Sequence, residues 1–155
     1  MSRFFTPFTV HGLTLPNRSV RSAVWEGMAD DAGQVTPRLV DTMTALARNR
    51  VGLIITGHAY VHPAGQAGPW QLGVHRDGLI DGLAHMSAAV HDAGGRICLQ
   101  LAHAGGHAAT RLTGRPAAGP SVFEGRSGEA CREMSPEDIA TVIRAMADGA
   151  RRARA

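Results

Sequence analysis

"VGLIITG", residues 51–57, is the stretch on which the fold turns. It is apolar from Val51 to Ile55 except for Gly52, and Gly57 stops it at once. A strand with one wet face alternates apolar and polar residues, whereas a parallel strand covered on both faces reads apolar throughout. Its neighbours on both sides carry helical spacing. Upstream, Thr36-Pro37 offers an N-cap and a proline at the first helical position, and Leu39, Met43 and Leu46 share one face up to about Arg50. Downstream, "DGLIDGLAHMSAAVHDAGG" (77–95) repeats Leu79, Leu83, Met86 and Val90 at helical spacing and ends on Gly94-Gly95.

On either side, "SVRSAV" (19–24) reads as an earlier strand and "RICLQL" (96–101) as a later one. "FTVHGLTLPNR" places two short apolar runs around His11-Gly12, which predicts a hairpin. Loops are expected from His58 to Gly73 and from 102 to 133. "MSPEDIATVIRAMADGARRARA" (134–155) is a helix, with Ser135 as cap, Pro136 in the first turn, and Glu137 and Asp138 against the dipole.

The order is hairpin, β, α, β, α, β, long loop, α. Strands separated by helices imply a parallel sheet. The long loops follow strands and the helix-to-strand returns are short, the asymmetry of a (β/α)8 TIM barrel with its working face at the strand C-termini. A doubly wound sheet would show a similar asymmetry. However, no G-x-G-x-x-G follows the first strand, and no G-x-x-x-x-G-K-[ST] is present. A full barrel takes about 200–250 residues, and only three βα units are legible here. The expectation is an α/β fold, the N-terminal part of a (β/α)8 barrel preceded by a short hairpin, as one partial-barrel domain over 1–155. The last helix runs to Ala155 with no stop signal, so the pattern reads as interrupted. The first and third strands would keep unpaired edges, which invite self-association or association with the rest of a barrel.

The chain is 44% apolar and 19% charged, as in globular proteins. Its formal charge is +3, and every basic residue is arginine. Most arginines are scattered, and Arg151, Arg152 and Arg154 sit where cations suit a helix end. No nucleic-acid partner is expected. No apolar run is long enough to span a membrane, and the N-terminus lacks a signal-peptide core, so no membrane partner is expected either. Cys98 and Cys131 make neither a disulfide framework nor a zinc site, which fits a reducing cytoplasm. His58 with His62, and His103 with His107, are spaced i, i+4, which on a helix can present two metal ligands. Both pairs straddle strand-to-loop junctions, and a metal-dependent barrel hydrolase is the weaker alternative.

Gln100 is the anomaly. It interrupts an apolar strand just before His103 and Gly105-Gly106. An amide both donates and accepts, so it can pair with adjacent C=O and N–H groups of a ligand.

"LTLPNRSVRSAVWEGMADDAGQVT", "VGLIITGHAYVHPAGQ", "VHDAGGRICLQLAHAGG" and "MSPEDIATVI" resemble, in order and spacing, successive blocks of the old yellow enzyme family. The resemblance implies an FMN-dependent oxidoreductase that takes NADH or NADPH as reductant and reduces a small-molecule enone or related electrophile. It covers about the first two-fifths of a family member. It implies that Gln100 pairs with the polar pyrimidine edge of the flavin and that the backbone of Ala23, Val24 and Trp25 lies along it. His58, at the end of the second strand, is a further cofactor candidate. Trp25 stands where many relatives carry a Thr or Cys, and Gly106 where relatives often carry Arg. The family's substrate-anion pair and its phosphate-holding loops come later than Ala155. The resemblance therefore implies a chain that is inactive in isolation, with no catalytic residue assigned. The alternative is a non-catalytic fragment or one piece of a split barrel.

Overall fold

The computed structural model describes residues 2–125, 128 and 130–155. The hairpin is present: β1 (Phe8–Val10) pairs antiparallel with β2 (Leu13–Leu15). Its turn is His11-Gly12, both at positive φ, 44° and 84°. Then follow β3 (Val20–Arg21), α1 (Pro37–Arg48), β4 (Leu53–Tyr60), α2 (Ile80–Asp92) and β5 (Ile97–Ala102). The order in the sheet is β3-β4-β5, parallel throughout, as expected for consecutive βα units. Three βα units form an open part of a barrel.

The helices begin where the caps predicted. The Thr36 hydroxyl accepts from the Leu39 N–H at 3.3 Å and donates to the Met28 carbonyl. The final helix, introduced below, starts on Ser135 with a reciprocal capping box to Asp138. α1 buries Leu39, Met43 and Ala47 against Ile54 and Ala59 of β4 and Met86 and Val90 of α2. Full burial of a Leu or Met side chain is worth about 1.5–3 kcal/mol, so this single helix-to-sheet layer carries the fold. Ile97, Leu99 and Leu101 of β5 face the same layer.

Among the described residues, no layer covers the opposite face of β5 and of the start of β4. Cys98 and Gln100 alternate with those core residues and are exposed, and Val20 is 51% exposed. This corrects the reading of 51–57 as a strand buried on both sides: Leu53 and Ile55 are only half-buried because the described chain places no layer over them.

Three boundaries differ from expectation. The first strand covers Val20–Arg21, not 19–24. Its ladder stops because side chains take the β4 groups that a longer strand would pair. The Arg21 guanidinium donates to the Ile55 carbonyl at 2.7 Å, and the Glu26 carboxylate accepts from the Gly57 N–H at 3.0 Å. The second strand runs on to Tyr60 instead of ending at Gly57. The register shifts between Ile55 and His58, a bulge that sharp sequence patterns do not reveal. The long loop expected over 102–133 is partly structured. It holds α3 (Thr110–Thr113), β6 (Ala118–Gly119), β7 (Phe123–Glu124) and β8 (Ala130–Glu133), with β8 central. A satellite core of Ala108, Ala117 and Cys131 lies beneath it, with Phe123 packed against it. Within that loop, residues 126, 127 and 129 lie outside the described ones.

α4 (Pro136–Arg154) closes the described chain. Arg151 and Arg152 both reach Asp77 ahead of α2, at 3.1 and 2.6 Å, and Arg152 also donates to the Val74 carbonyl. The basic cluster thus ties one helix end to the next unit. No described helix is long and apolar enough to cross a membrane.

Candidate functional site

The strand C-termini bring the candidate residues together. His58 and Gln100 are direct partners in the β4–β5 register, so their side chains leave the same face of the sheet. The bulge makes this so: after two strictly paired steps, Ile54 with Ile97 and Ile55 with Cys98, Thr56 and Gly57 stand opposite the single residue Leu99. The Thr56 hydroxyl fills the irregularity, accepting from the Gln100 N–H at 3.2 Å and donating to the Gly57 carbonyl at 2.8 Å.

The Ala23–Trp25 segment lies over the end of β4. A Cβ built on Gly57 would meet the Val24 carbonyl oxygen at 2.8 Å, so only glycine permits this approach. The Trp25 ring stacks beside the His58 ring, with centroids 6.1 Å apart. The same indole packs on Gly68, where a Cβ would meet it at 2.6 Å. Among the described residues, the backbone N–H groups of Ala23, Val24 and Trp25 donate no hydrogen bond. The Gln100 amide group likewise has no partner among them. An exposed strand amide with free donor and acceptor, beside free backbone donors, fits the adjacent carbonyl and N–H groups along a flavin's pyrimidine edge.

Three supporting residues carried no sequence signal. Glu26, 7% exposed, is held by Arg21 at 2.8 Å and receives the Gly57 N–H. A buried pair of this kind fixes position more than it adds stability. Gln71, 1% exposed, sits under His58. Its Oε1 accepts from the Ala67 N–H at 2.7 Å, so its Nε2 must be the donor toward His58 Nδ1 at 2.6 Å and the His58 carbonyl at 3.1 Å. That places the His58 proton on Nε2. Gly57, at the end of an apolar run, does not by itself point to Glu26. Gln71 lies in an aperiodic loop and Thr56 inside a strand.

The histidine pairs do not act as i, i+4 ligands. His62 Nδ1 accepts from the Ala64 N–H and His103 Nδ1 from the Gly105 N–H, each closing a tight turn at a strand exit. His107 packs edge-on against Phe123. Among the described residues, no group of three or more His, Cys, Asp or Glu is placed to hold a metal ion.

The sequence model of the NADH:flavin oxidoreductase / NADH oxidase family matches residues 3–155. The chain belongs to this family. The family's cofactor is FMN and its reductant a nicotinamide. The chain is 34% identical over 155 residues to an NADPH dehydrogenase of Bacillus licheniformis, covering 99% of this chain and 45% of that protein. It is 35% identical to a metal reductase of Desulforamulus reducens, covering 99% of this chain and 23% of that one. It therefore spans less than half the length of these relatives. Among solved structures, the old yellow enzyme homologue from Zymomonas mobilis superposes with a TM-score of 0.87 at 23% identity, over 98% of this chain and 45% of that one. A 2-naphthoyl-CoA reductase complex superposes with a TM-score of 0.92 at 22% identity, over 98% and 25%. These superpositions support the partial barrel, and the family match displaces the metal-dependent hydrolase alternative.

Proposed function

We propose that this chain forms the flavin-facing part of an FMN-dependent NAD(P)H oxidoreductase of the old yellow enzyme type, acting on a small enone or related electrophile. The observation that carries the reading is the shared open face of Gln100 and His58, registered by the bulge and flanked by the Ala23–Trp25 backbone. Gln100 pairs with the polar pyrimidine edge, the unpaired N–H groups of residues 23–25 line the ring, and His58 presents its Nε2–H beside them. When bound, FMN supplies hydride transfer between nicotinamide and substrate. Residues 1–155 act as one unit in the cytoplasm.

The chain by itself is expected to be inactive. An ordinary hydrogen bond from Gln100 is worth about 0.5–1.5 kcal/mol net, while micromolar binding needs roughly 8 kcal/mol. Enone reduction also needs donors that stabilise the developing enolate, and no residue of this chain is assigned that role. The outer edges of β3 and β5 then favour self-association or docking with the remaining barrel portion.

The test has two arms. NADPH oxidation with cyclohexenone is followed for the purified chain plus excess FMN; steady turnover above free flavin, lost in Gln100→Ala, refutes inactivity in isolation. In the second arm the chain replaces the matching segment of the Bacillus licheniformis relative. The hybrid should retain FMN and lose flavin occupancy on Gln100→Ala, and unchanged occupancy in that variant removes the flavin role of Gln100.

A further inference from the structure

A polar cavity lies between the loops leaving β4 and β5, the small β6–β8 sheet and the start of α4. Its volume is about 320 Å³, and His62, His103, Arg115, Arg132, Asp138 and Thr141 line it. The two imidazoles are 6.3 Å apart, centroid to centroid, with their planes inclined by 28°. Each has its Nδ1 engaged by a backbone N–H, from Ala64 at 3.2 Å and from Gly105 at 3.1 Å. Each ring therefore carries its proton on Nε2, and neither Nε2 has a partner among the described residues. His103 is locked further by its packing on Gly65, where any Cβ would clash with the ring.

The charges divide unequally. Asp138 is spoken for: Arg132 grips both its oxygens, one at 2.9 Å, and the Ser135 N–H donates to it as well. Arg115 is exposed and has no carboxylate partner among the described residues. Burial, and then the Arg115 charge, hold His62 below the ordinary histidine range; burial, and then His62, do the same to His103. Among the described residues, the cavity thus offers one guanidinium with no carboxylate partner and two fixed N–H donors, and its one lining carboxylate, Asp138, is neutralised by Arg132. A guanidinium and two imidazole N–H donors lining one cavity, with a net positive charge, suit a compact oxyanion.

We propose that this cavity binds a small oxyanion of the phosphate class, as free phosphate or as a phosphate monoester on a larger molecule. The proposal is independent of the flavin reading, because neither Gln100, His58 nor residues 23–25 line this cavity.

Inorganic phosphate is titrated into the purified full chain by isothermal calorimetry, with the histidine ring signals followed by NMR. Saturable one-to-one binding that moves the His62 and His103 signals is expected. Arg115→Gln should weaken it about tenfold or more, the loss of one charge-assisted contact. Arg111→Gln, an exposed arginine on α3 that does not line the cavity, should leave it unchanged. Both arginines are exposed, so neither variant threatens folding. Competition by NADPH but not NADH would assign the oxyanion to a nucleotide phosphate, and competition by neither to free phosphate. Absence of saturable binding, or equal loss in both variants, overturns the proposal.

Discussion

Replacing Gln71 tests how the His58 side chain is set. Gln71 is 1% exposed and makes three hydrogen bonds: it accepts from Ala67 and donates to both the ring and the carbonyl of His58. Gln71→Leu keeps much of the volume and removes all three. At about 0.5–1.5 kcal/mol net each, the sum is about 1.5–4.5 kcal/mol. His58 and Ala67 are only half-buried, so water replaces part of the loss, and about 1.5–3 kcal/mol is expected. For a chain of this size that lowers Tm by roughly 3–12 °C. Gln71→Glu is the sharper variant. Its carboxylate still accepts from Ala67 but cannot donate to His58 Nδ1, so Nδ1 must itself carry a proton to pair with it. Nitrogen-15 spectra of the imidazole should show Nδ1 unprotonated in the parent chain and protonated in Gln71→Glu. Urea unfolding supplies the stability. A parent ring already protonated on Nδ1, or a Gln71→Leu chain within about 0.5 kcal/mol of the parent, contradicts the hydrogen bonds assigned to Gln71.

Gly57→Ala should destabilise the chain by about 1–3 kcal/mol through overpacking, because the new methyl meets the Glu26 carboxylate and the Val24 carbonyl. Urea unfolding measures this, and a shift in Trp25 fluorescence reports displacement of the neighbouring segment; a neutral variant with unchanged emission contradicts the contact. Stability should also depend on acid. Burial is the leading cause that lowers His62, His75 and His103, so the unfolded chain takes up protons at higher pH than the folded one. The stabilisation is complete above the ordinary histidine value and is lost as pH falls through the folded values. Urea midpoints should drop between about pH 7.5 and pH 5.5, and a flat profile removes the claim.

The parts of the fold legible in sequence were those written in local periodicity and caps. Thr36-Pro37, Ser135 with Asp138, and Gly94-Gly95 are short-range signals, and the helices begin or end there. Gln100 stood out because it broke an apolar run. The length of β3 and β4 was not legible, because both depend on partners distant in the chain. Arg21 and Glu26 end one ladder by bonding to Ile55 and Gly57, some thirty residues away, and no pattern within "SVRSAV" announces it. The small sheet over 118–133 escaped for a similar reason. Its strands are two to four residues long, too short for a period of two to register.

These distant partners join into one arrangement. If β3 continued its ladder, Ile55 and Gly57 would be paired by main chain and residues 22–25 would lie flat in the sheet. Because Arg21 and Glu26 satisfy those groups, the chain lifts off after Arg21 while the Ile55 carbonyl and the Gly57 N–H keep partners. The lifted backbone is what stands free beside the sheet with unpaired N–H groups. Gly57 is bare because the Glu26 carboxylate and the Val24 carbonyl fill the space a side chain would take. The bulge at Thr56-Gly57 then returns His58 to the face of Gln100. Remove the ion pair, and the lifted segment loses its support. Remove the bulge, and a one-residue shift turns His58 toward the helices. The geometry at the strand ends therefore rests on side chains that touch no ligand in the proposed arrangement. A substitution at Glu26 should disturb the position of Trp25 before it disturbs the core.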